Sequence, residues 1–519
     1  MTRVKPGERK RARTSKVKTG CGTCKWVDSI WPVRDEIANS LTGVSIKATI
    51  RRSTSTGRKC DGYQSSSSPL TPESSPRPIL ATYSNGVEAE SFQFFIEKTL
   101  DNFQTFFTDD LWSTRILQVA QEEDCIKNGV VALSHFHRHY LTHQQWRRIE
   151  SVPALKHYNL AIKELLTPSP DTSSRGHVLI ISCLIFICIE LLQGKTDSAI
   201  GLFKYGCNMI QQHRNSSPKD KTDTNLYSDT VETFKLVEAC FKRIAVQFLT
   251  LISDMDPSLW FLFYNTFGSS LTFQKGSFTS LADAREALLE LLVEQATPGL
   301  KGKSARDIMA HAAKVNRWGE LFDTLLSQLD DRERLLNETK KRSIALLQLH
   351  RKYLEINVAK YTLGQGDPCF WDNFTPEFEQ IVKHAATAAG LDEYYKRRTQ
   401  SSEPSEACFH IDLGFTSVLI AVIARCRDPF IRRRALAVML AERVQEGVFN
   451  ASQSAKVAAR VMELEESRSG KVVCCSGDIP QEARVRTIRV HLSGGDDEKV
   501  RIVYGFDQGY FEEEQSMAE

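Results

Sequence analysis

Three cysteines near the start of the chain have types and spacing that suit metal binding. Cys21 and Cys24 form a C-x2-C pair, whose tight turn lets two thiolates reach one metal ion, and Cys60 follows later. Such pairs also occur in redox sites, but a redox site needs a βαβ context, which the flanking sequence lacks. Lys25 and Lys59 stand next to these cysteines and add positive charge. The residues therefore favour a zinc site in a module that binds nucleic acid.

The charge of the chain is divided unevenly. Residues 1–64 contain 15 Lys and Arg against 5 Asp and Glu, a balance of +10, which leaves −7 for residues 65–519 because the whole chain carries +3. A basic head attracts nucleic acid through counterion release, whereas an acidic body is repelled by it. The alternative is a basic tail that only keeps the protein soluble. The densest basic cluster predicts nuclear import or a clamp on the DNA backbone, through Arg9, Lys10, Arg11 and Arg13.

The stretch over residues 19–64 resembles the head of the fungal binuclear zinc-cluster transcription factors. Their module follows the pattern C-x2-C-x6-C-x5–12-C-x2-C-x6–8-C, in which six cysteines hold two zinc ions. The ends of the stretch, KVKTGCGTCK and STSTGRKCDGYQ, match it, so that Cys21 and Cys24 take the first two ligand positions and Cys60 the sixth. The resemblance implies that the module reads a short G/C-rich triplet in the major groove. The residues that we assign to DNA binding are Lys16, Lys18, Lys25, Arg51, Arg52, Arg58 and Lys59.

The middle of this stretch departs from the family pattern. Trp31, Ile50 and Ser53 stand where the third, fourth and fifth ligands belong. Three thiolates cannot hold two tetrahedral zinc ions, so the sequence as written supports at most one, with a carboxylate such as Asp61 as a further ligand. Either the cluster has decayed, or the coding sequence for residues 26–50 contains a retained intron or a shifted splice site. We favour the second explanation, because both ends of the module are preserved.

The sequence as a whole predicts a mainly α protein with five parts. They are a disordered basic arm (1–18), the zinc-cluster head (19–64), a linker rich in Ser and Pro (65–86), a helical body (87–467), and a β-hairpin with an acidic tail (468–519). The hairpin is predicted because residues 485–492 and 499–506 alternate with period 2 around SGGDDE. The acidic end is expected to be a solvated terminus, with a small activation tail as the alternative.

Apolar residues recur at helical spacing through the body. Stripes are predicted at Phe92, Phe95, Ile96, Leu100, Phe103 and Phe107; at Ile126, Val130, Leu133, Phe136 and Tyr140; and at Leu155, Tyr158, Ile162 and Leu165. Further helices are predicted over 234–251, 284–294, 342–361 and 374–389, and Asp428 with Pro429 marks a helix start. The run Val178–Leu192 contains Glu190 and is shorter than the roughly 20 apolar residues of a membrane helix, so it predicts a buried helix.

Two segments of the body, LIISCLIFICIELLQGKTDSAIGLFKYGCNMI and HIDLGFTSVLIAVIARCRDPFIRRRALAVM, resemble the fungus-specific regulatory domain that follows such zinc clusters. The resemblance extends over most of residues 90–505 and implies a helical region that regulates activity and contacts protein partners or a second copy. With the head, it predicts a nuclear, zinc-dependent regulator that binds specific double-stranded DNA at fungal genes of RNA polymerase II. The alternative is an interaction protein of the same descent that has lost DNA binding.

The body has no motif of a catalytic or nucleotide-binding site, so we predict no enzyme. G-x-x-x-x-G-K-[ST], H-E-x-x-H and G-x-S-x-G are absent from the sequence. His135, His139 and His143 share one helix face, where a polar edge is favoured over a metal site because no carboxylate or cysteine lies nearby in the sequence. Cys474 and Cys475 are expected to be free thiols.

Two further expectations concern the surface and the compartment of the protein. A basic patch is expected to be a solvated or acid-paired helix face rather than a second nucleic-acid site; it consists of Arg425, Arg427, Arg432, Arg433 and Arg434. Because the thirteen cysteines form no disulfide framework and no secretory signal is evident, we expect reduced thiols in an intracellular compartment, the nucleus.

The transcript across codons 25–53 separates the two explanations of the damaged head. If the insert is noncoding, sequencing of mature messenger RNA shows it removed, with cysteines restored at the third, fourth and fifth ligand positions. A mature transcript that encodes Trp31, Ile50 and Ser53 as written would show that the cluster has decayed.

Overall fold

The computed structural model describes the chain from residue 86 onward, with gaps between some of its elements. The chain divides into two units, residues 1–89 and residues 90–519, and nearly all described residues belong to the second unit. The described residues are 86–143, 152–167, 175–215, 224–252, 257–267, 276–296, 304–329, 337–363, 367, 369–391, 407–441, 443–492 and 499–516.

Helices make up most of these residues, as the apolar periodicity predicts. α1 (Gly86–Phe94) continues through a π-helical turn (Phe95–Thr99) into α2 (Leu100–Phe103), and a second π-helical turn (Leu111–Arg115) precedes α3 (Ile116–Glu122). The later helices are α4 (Asp124–His143), α5 (Val152–Leu166), α6 (Gly176–Leu192), α7 (Thr196–Asn215), α8 (Thr224–Ile252), α9 (Pro257–Phe267), α10 (Leu281–Ala296), α11 (Ala305–Gln328), α12 (Glu338–Leu363), α13 (Thr375–Ala388), α14 (Thr416–Arg425), α15 (Pro429–Ala441) and α16 (Ala451–Arg468). The predicted mainly α class is confirmed.

Helix α6 is surrounded by α4, α7 and α8. It is apolar on every side, and nearly all of its residues from Val178 to Leu192 are buried, which confirms the predicted buried helix. Its one carboxylate, Glu190, accepts a hydrogen bond of 2.7 Å from the Tyr158 hydroxyl, so the buried oxygen has a partner. Within the described residues, none of the helices has the length and apolarity that crossing a bilayer requires.

A second group of helices, α10 to α15, shares one apolar core. Trp318 on α11 is buried in it and donates a hydrogen bond of 2.9 Å from Nε1 to the carbonyl of Ala284 on α10. The helix start predicted at Asp428 is confirmed, because its Oδ1 accepts from the backbone N–H of Phe430 and Ile431 at 3.0 Å each. Pro429 is the first residue of α15, where its missing N–H costs nothing.

The stripe predicted on α5 is confirmed only in part, because Tyr158, Ile162 and Leu165 are half-buried but Leu155 is exposed. Helix α5 turns Ala154, His157 and Ala161 inward, whereas Leu155 is 38% exposed. Small residues allow α5 to approach α4 closely, and His157 Nδ1 lies 2.8 Å from Asn128 Oδ1 on α4. Close packing and this polar contact therefore outweigh burial of the larger leucine. The first predicted stripe also extends too far, because α2 ends at Phe103.

The C-terminal residues form a three-stranded antiparallel sheet. The predicted hairpin is confirmed by β4 (Thr487–Leu492) and β5 (Lys499–Gly505). A third strand, β6 (Tyr510–Ser516), pairs with β5, so the acidic end is an edge strand and not the solvated terminus that we expected. Alternate residues of the sheet face α16, as the period-2 pattern requires; the buried cluster is Val461, Leu464, Val485, Val500, Ile502, Tyr504 and Phe506.

Glu465 on α16 joins two helices to the start of this sheet. Its Oε2 accepts from Arg432 on α15 at 2.7 Å, and its Oε1 accepts from Arg427 at 3.2 Å. The same Oε1 accepts from the backbone N–H of Val485 at 2.7 Å, just before β4. The side chains of Glu465 and Arg432 are completely buried. Removing one charge from such a cluster leaves the others without compensation in a medium of low dielectric.

Replacement of Glu465 by Gln tests this dependence. We expect Glu465→Gln to lower the free energy of unfolding by about 3–5 kcal/mol, because two buried guanidinium groups lose their counter-charge. Glu466→Gln is the matched control: Glu466 pairs with the half-exposed Arg433, and its loss is expected to cost about 1 kcal/mol or less. Urea unfolding of both variants measures the difference. Equal unfolding midpoints for the two variants would show that the buried position of Glu465 adds nothing to the stability of the protein.

Candidate functional site

The residues assigned to zinc, DNA and nuclear import all precede the part of the chain that the structure describes. Those assignments stay predictions. They are Cys21, Cys24 and Cys60 for zinc; Lys16, Lys18, Lys25, Arg51, Arg52, Arg58 and Lys59 for DNA; and Arg9, Lys10, Arg11 and Arg13 for import.

The histidine face of α4 makes contacts with neighbouring helices. His135 Nε2 lies 3.1 Å from Ser91 Oγ on α1, and its ring stacks on His157 of α5 with a centroid distance of 6.2 Å. Burial lowers the pKa of His135, which keeps the imidazole neutral. The side chain of His143 lies outside the described residues. Among the residues that are described, no group of three or more His, Cys, Asp and Glu is placed to hold a metal ion.

The basic patch near α15 is paired with acids, as predicted. Four of its arginines have a carboxylate partner: Arg427 and Arg432 with Glu465, Arg433 with Glu466, and Arg434 with Glu379. Arg425 instead donates to the Tyr353 hydroxyl at 2.7 Å and lies over the ring of Trp371. A patch whose charges are neutralised in this way does not present the free cations that phosphate binding needs.

A small buried sheet inside the body has no counterpart in the sequence prediction. β1 (Cys408–His410) pairs in parallel with β2 (Val444–Glu446), and β2 pairs antiparallel with β3 (Phe449–Asn450). Strands of two or three residues are too short to produce an alternating pattern in the sequence. Their backbone groups still need hydrogen-bond partners, because unpaired buried N–H and C=O groups are costly.

Glutamine side chains bind backbone groups in the segments that flank these strands. Gln247 on α8 donates to the carbonyl of Ile411 at 3.3 Å and accepts from the N–H of Val448 at 3.3 Å. Gln445 on β2 donates to the carbonyl of Leu191 at the end of α6 at 2.9 Å. The buried sheet is therefore tied to α6 and α8 through polar side chains rather than through apolar packing alone.

A network of buried charges lies beside the sheet. Arg285 on α10 binds Asp412, and Arg243 on α8 binds Asp109. Both arginines also contact one oxygen of Glu286, at 2.8 Å and 3.0 Å. Burial alone would raise the pKa of Asp412, but Arg285 and Arg243 outweigh it and hold this pKa below its ordinary value. The Asp412 carboxylate is therefore ionised and fixed in place.

Glu446 of the buried sheet caps helix α14 from outside that helix. Its two oxygens accept from the backbone N–H of Phe415 at 3.0 Å and of Thr416 at 2.8 Å. Phe415 is the N-cap residue and has no side-chain oxygen of its own, so Glu446 takes the place of a local cap. Burial raises the pKa of Glu446 to about 7, although the two N–H groups oppose this shift.

Gly414 and His350 also contact the turn that Glu446 caps. A side chain at Gly414 would overlap the Glu446 carboxylate, so only glycine allows the close approach. His350 on α12 donates from Nε2 to the carbonyl of Gly414 over 2.7 Å. Burial lowers the pKa of His350 to about 4, so the ring is neutral at pH 7. The turn before α14 is thus fixed between α12 and β2.

Sequence reasoning missed the residues of this polar core. Gln247 stands within the apolar stretch IAVQFL, which is the one signal that could have singled it out, whereas His350 and Glu446 have polar or charged neighbours and carry no such signal. The quoted segment that begins HIDLGFTS does contain Asp412 and Gly414.

The chemistry of the polar core is structural. Its carboxylates are bound to arginines or to backbone N–H groups, so they are not placed to exchange protons with a substrate. Cys240 lies next to the network, but burial raises the pKa of its thiol well above the ordinary value, which keeps it unreactive. The arrangement connects α6, α8, α10, α12 and α14 through one set of buried polar contacts.

Comparison with known proteins assigns this body to transcription. Residues 90–250 match the family model described as the fungal specific transcription factor domain. The chain is also similar to the aspercryptin biosynthesis cluster-specific transcription regulator atnN of Emericella nidulans, with 23% identity over an alignment of 585 positions that covers 88% of this chain and 90% of the relative. No solved structure matches the chain. Both matches indicate a transcription regulator and not an enzyme, as the sequence predicts.

Because folding raises the pKa of Glu446, the contribution of this residue to stability depends on pH, and this dependence can be tested. An acid whose pKa is raised from 4.5 to about 7 by folding binds protons more tightly in the folded state. Its contribution to stability is therefore full below pH 4.5 and is lost as pH rises through 7. Across this pH window we expect the free energy of unfolding of the wild type to fall by on the order of 3 kcal/mol relative to that of Glu446→Gln, since one pKa unit is about 1.4 kcal/mol.

Chemical denaturation at several pH values measures this difference. The control is Glu379→Gln, because Glu379 is exposed at the surface and pairs with Arg434; its difference from wild type should stay nearly constant across the same window. A flat difference for Glu446→Gln would show that Glu446 has an ordinary pKa in the folded protein.

Proposed function

We propose that this chain is a nuclear, zinc-dependent regulator that binds specific DNA sequences and controls fungal genes transcribed by RNA polymerase II. The observation that carries the proposal is the joint match of residues 90–250 to the fungal transcription factor domain and of 88% of the chain to a transcription regulator. The basic balance of residues 1–64 supports DNA binding by the head, because phosphate contacts dominate the affinity of such modules.

The donor set of the head suits one zinc ion. Cys21, Cys24 and Cys60 supply three thiolates, and a carboxylate such as Asp61 completes a tetrahedral site. A bound zinc would supply folding free energy to a module that is too small for an apolar core. The six-cysteine form would hold two zinc ions, which the sequence as written does not support.

The body contributes regulation in this proposal. Its net charge of −7 over residues 65–519 disfavours contact with DNA, and the arginines of its basic patch are neutralised by acids or held against aromatic rings. Protein partners or a second copy of the chain are therefore the ligands that the body would bind. We place the DNA contacts in the head and the protein contacts in the body.

A second candidate function rests on one specific observation. Trp31, Ile50 and Ser53 occupy ligand positions of the zinc cluster, and a head in which these replacements prevent zinc binding would not read a DNA sequence. The chain would then be an interaction or regulatory protein that has lost DNA binding.

Zinc content and DNA binding of the full chain distinguish these functions. We expect one zinc per chain by metal analysis and sequence-selective binding to duplex DNA that weakens as salt increases. Cys21→Ser/Cys24→Ser should abolish both, whereas Cys369→Ser in the body should change neither. Replacing Lys59 by Ala should lower the salt slope by about 1, as expected for one phosphate contact. A wild-type chain with no zinc and no sequence preference would support the interaction protein instead.

A further inference from the structure

Two neighbouring cysteines differ from every other cysteine that the structure describes. Cys474 and Cys475 are exposed, whereas six of the ten described cysteines are buried and two are half-buried. Burial raises the pKa of the buried thiols, for example that of Cys426 to about 12, and so protects them from reaction. Among the described cysteines, Cys474 and Cys475 therefore have the thiols that are most accessible to reagents.

The pair is held in a well-defined turn after α16. Asp478 Oδ2 accepts from the backbone N–H of Cys474 and of Cys475, at 2.9 Å each. In return, the N–H of Asp478 donates to the Cys475 sulfur. The carboxylate and the two thiols thus belong to one compact, hydrogen-bonded turn.

A cation lies next to this turn. Lys471 Nζ binds Asp478 Oδ1 at 2.7 Å. The hydrogen bond to Asp478 raises the pKa of Lys471, which keeps its ammonium group charged. This ion pair fixes the Asp478 carboxylate, to which the backbone N–H groups of both cysteines are bound.

The turn is also fixed to the body. Arg484, which is almost fully buried, donates to the carbonyls of Ser476 at 3.1 Å and Ile479 at 3.0 Å. Its guanidinium binds both oxygens of Asp372, at 3.0 Å and 2.7 Å. The two thiols are therefore presented by an ordered turn, which reduces the entropy lost when both bind one ligand.

We propose that Cys474 and Cys475 form a vicinal dithiol site for a soft thiophilic ligand, of which a trivalent arsenical is the clearest representative. Adjacent α-carbons lie about 3.8 Å apart, so rotation about the side-chain bonds brings both sulfurs to one atom. Thiolates select soft acceptors of this kind over hard cations. This site lies in the body and does not depend on zinc or DNA binding by the head.

The reaction with an organic arsenoxide is a condensation. The arsenic–oxygen double bond and two S–H bonds break, two arsenic–sulfur bonds form, and the oxygen leaves with both protons as water. Arsenic stays trivalent and neither sulfur is oxidised, so the step needs no further reactant. The second sulfur binds intramolecularly, which is the source of the affinity that a single thiol lacks.

Labelling of the reduced full chain with phenylarsine oxide tests the site. Trypsin cuts after Lys471 and Arg484, and the peptide between them, VVCCSGDIPQEAR, contains these two cysteines and no others. We expect one phenylarsenic group on this peptide, retained in excess 2-mercaptoethanol and removed by 1,2-ethanedithiol. Cys474→Ser and Cys475→Ser should each lower the retained label at least about tenfold, because chelation is lost.

Two results would overturn the proposal. One is a single-serine variant that retains as much label as wild type, and the other is a wild-type label that the monothiol removes. Serine at 475 can still accept the hydrogen bond from Asp478, so equal thermal unfolding midpoints are expected and would show that the turn is intact. Cys369→Ser, which removes a half-buried thiol, serves as the matched control and should label as wild type does.

Discussion

Polar groups that are buried must find partners inside the protein, and this constraint governs how the helices of the body come together. The short strands β1 to β3 carry backbone N–H and C=O groups into the interior, where water cannot satisfy them. Side chains from distant helices bind the backbone beside these strands, as Gln247 does at Ile411 and Val448. Without these contacts the buried sheet would cost more free energy than its apolar side chains return.

The same constraint joins the first half of the body to the second. Asp109 and Arg243 lie within the segment that matches the fungal transcription factor domain, while Glu286 and Asp412 lie beyond it. The charges of the matched segment are therefore balanced by residues outside that segment. Since an unpaired buried charge is strongly destabilising, residues 90–250 do not have a complete polar interior by themselves.

The separation of tasks between head and body follows from charge. A basic head suits phosphate contacts, whereas the acids of the body neutralise most of its own basic patch, including the completely buried pair of Arg432 and Glu465. The exposed thiols of Cys474 and Cys475 stand apart from both arrangements, because they lie on an ordered turn between α16 and the C-terminal sheet. The proposed thiol site is thus separate in the sequence from the basic head.

The sequence alone determined the helical body, the buried helix at Val178–Leu192, the cap at Asp428 and the C-terminal hairpin, because these features follow from apolar periodicity and local turn chemistry. It also predicts a zinc-cluster head from the cysteine and lysine pattern, and this stays a prediction because the head lies outside the described residues. Only the tertiary structure decided the inward face of α5, the buried sheet, the third strand β6, and the pairing of Glu446 with α14. These depend on contacts between residues far apart in the chain, and no local pattern encodes which distant donor will satisfy a buried acceptor.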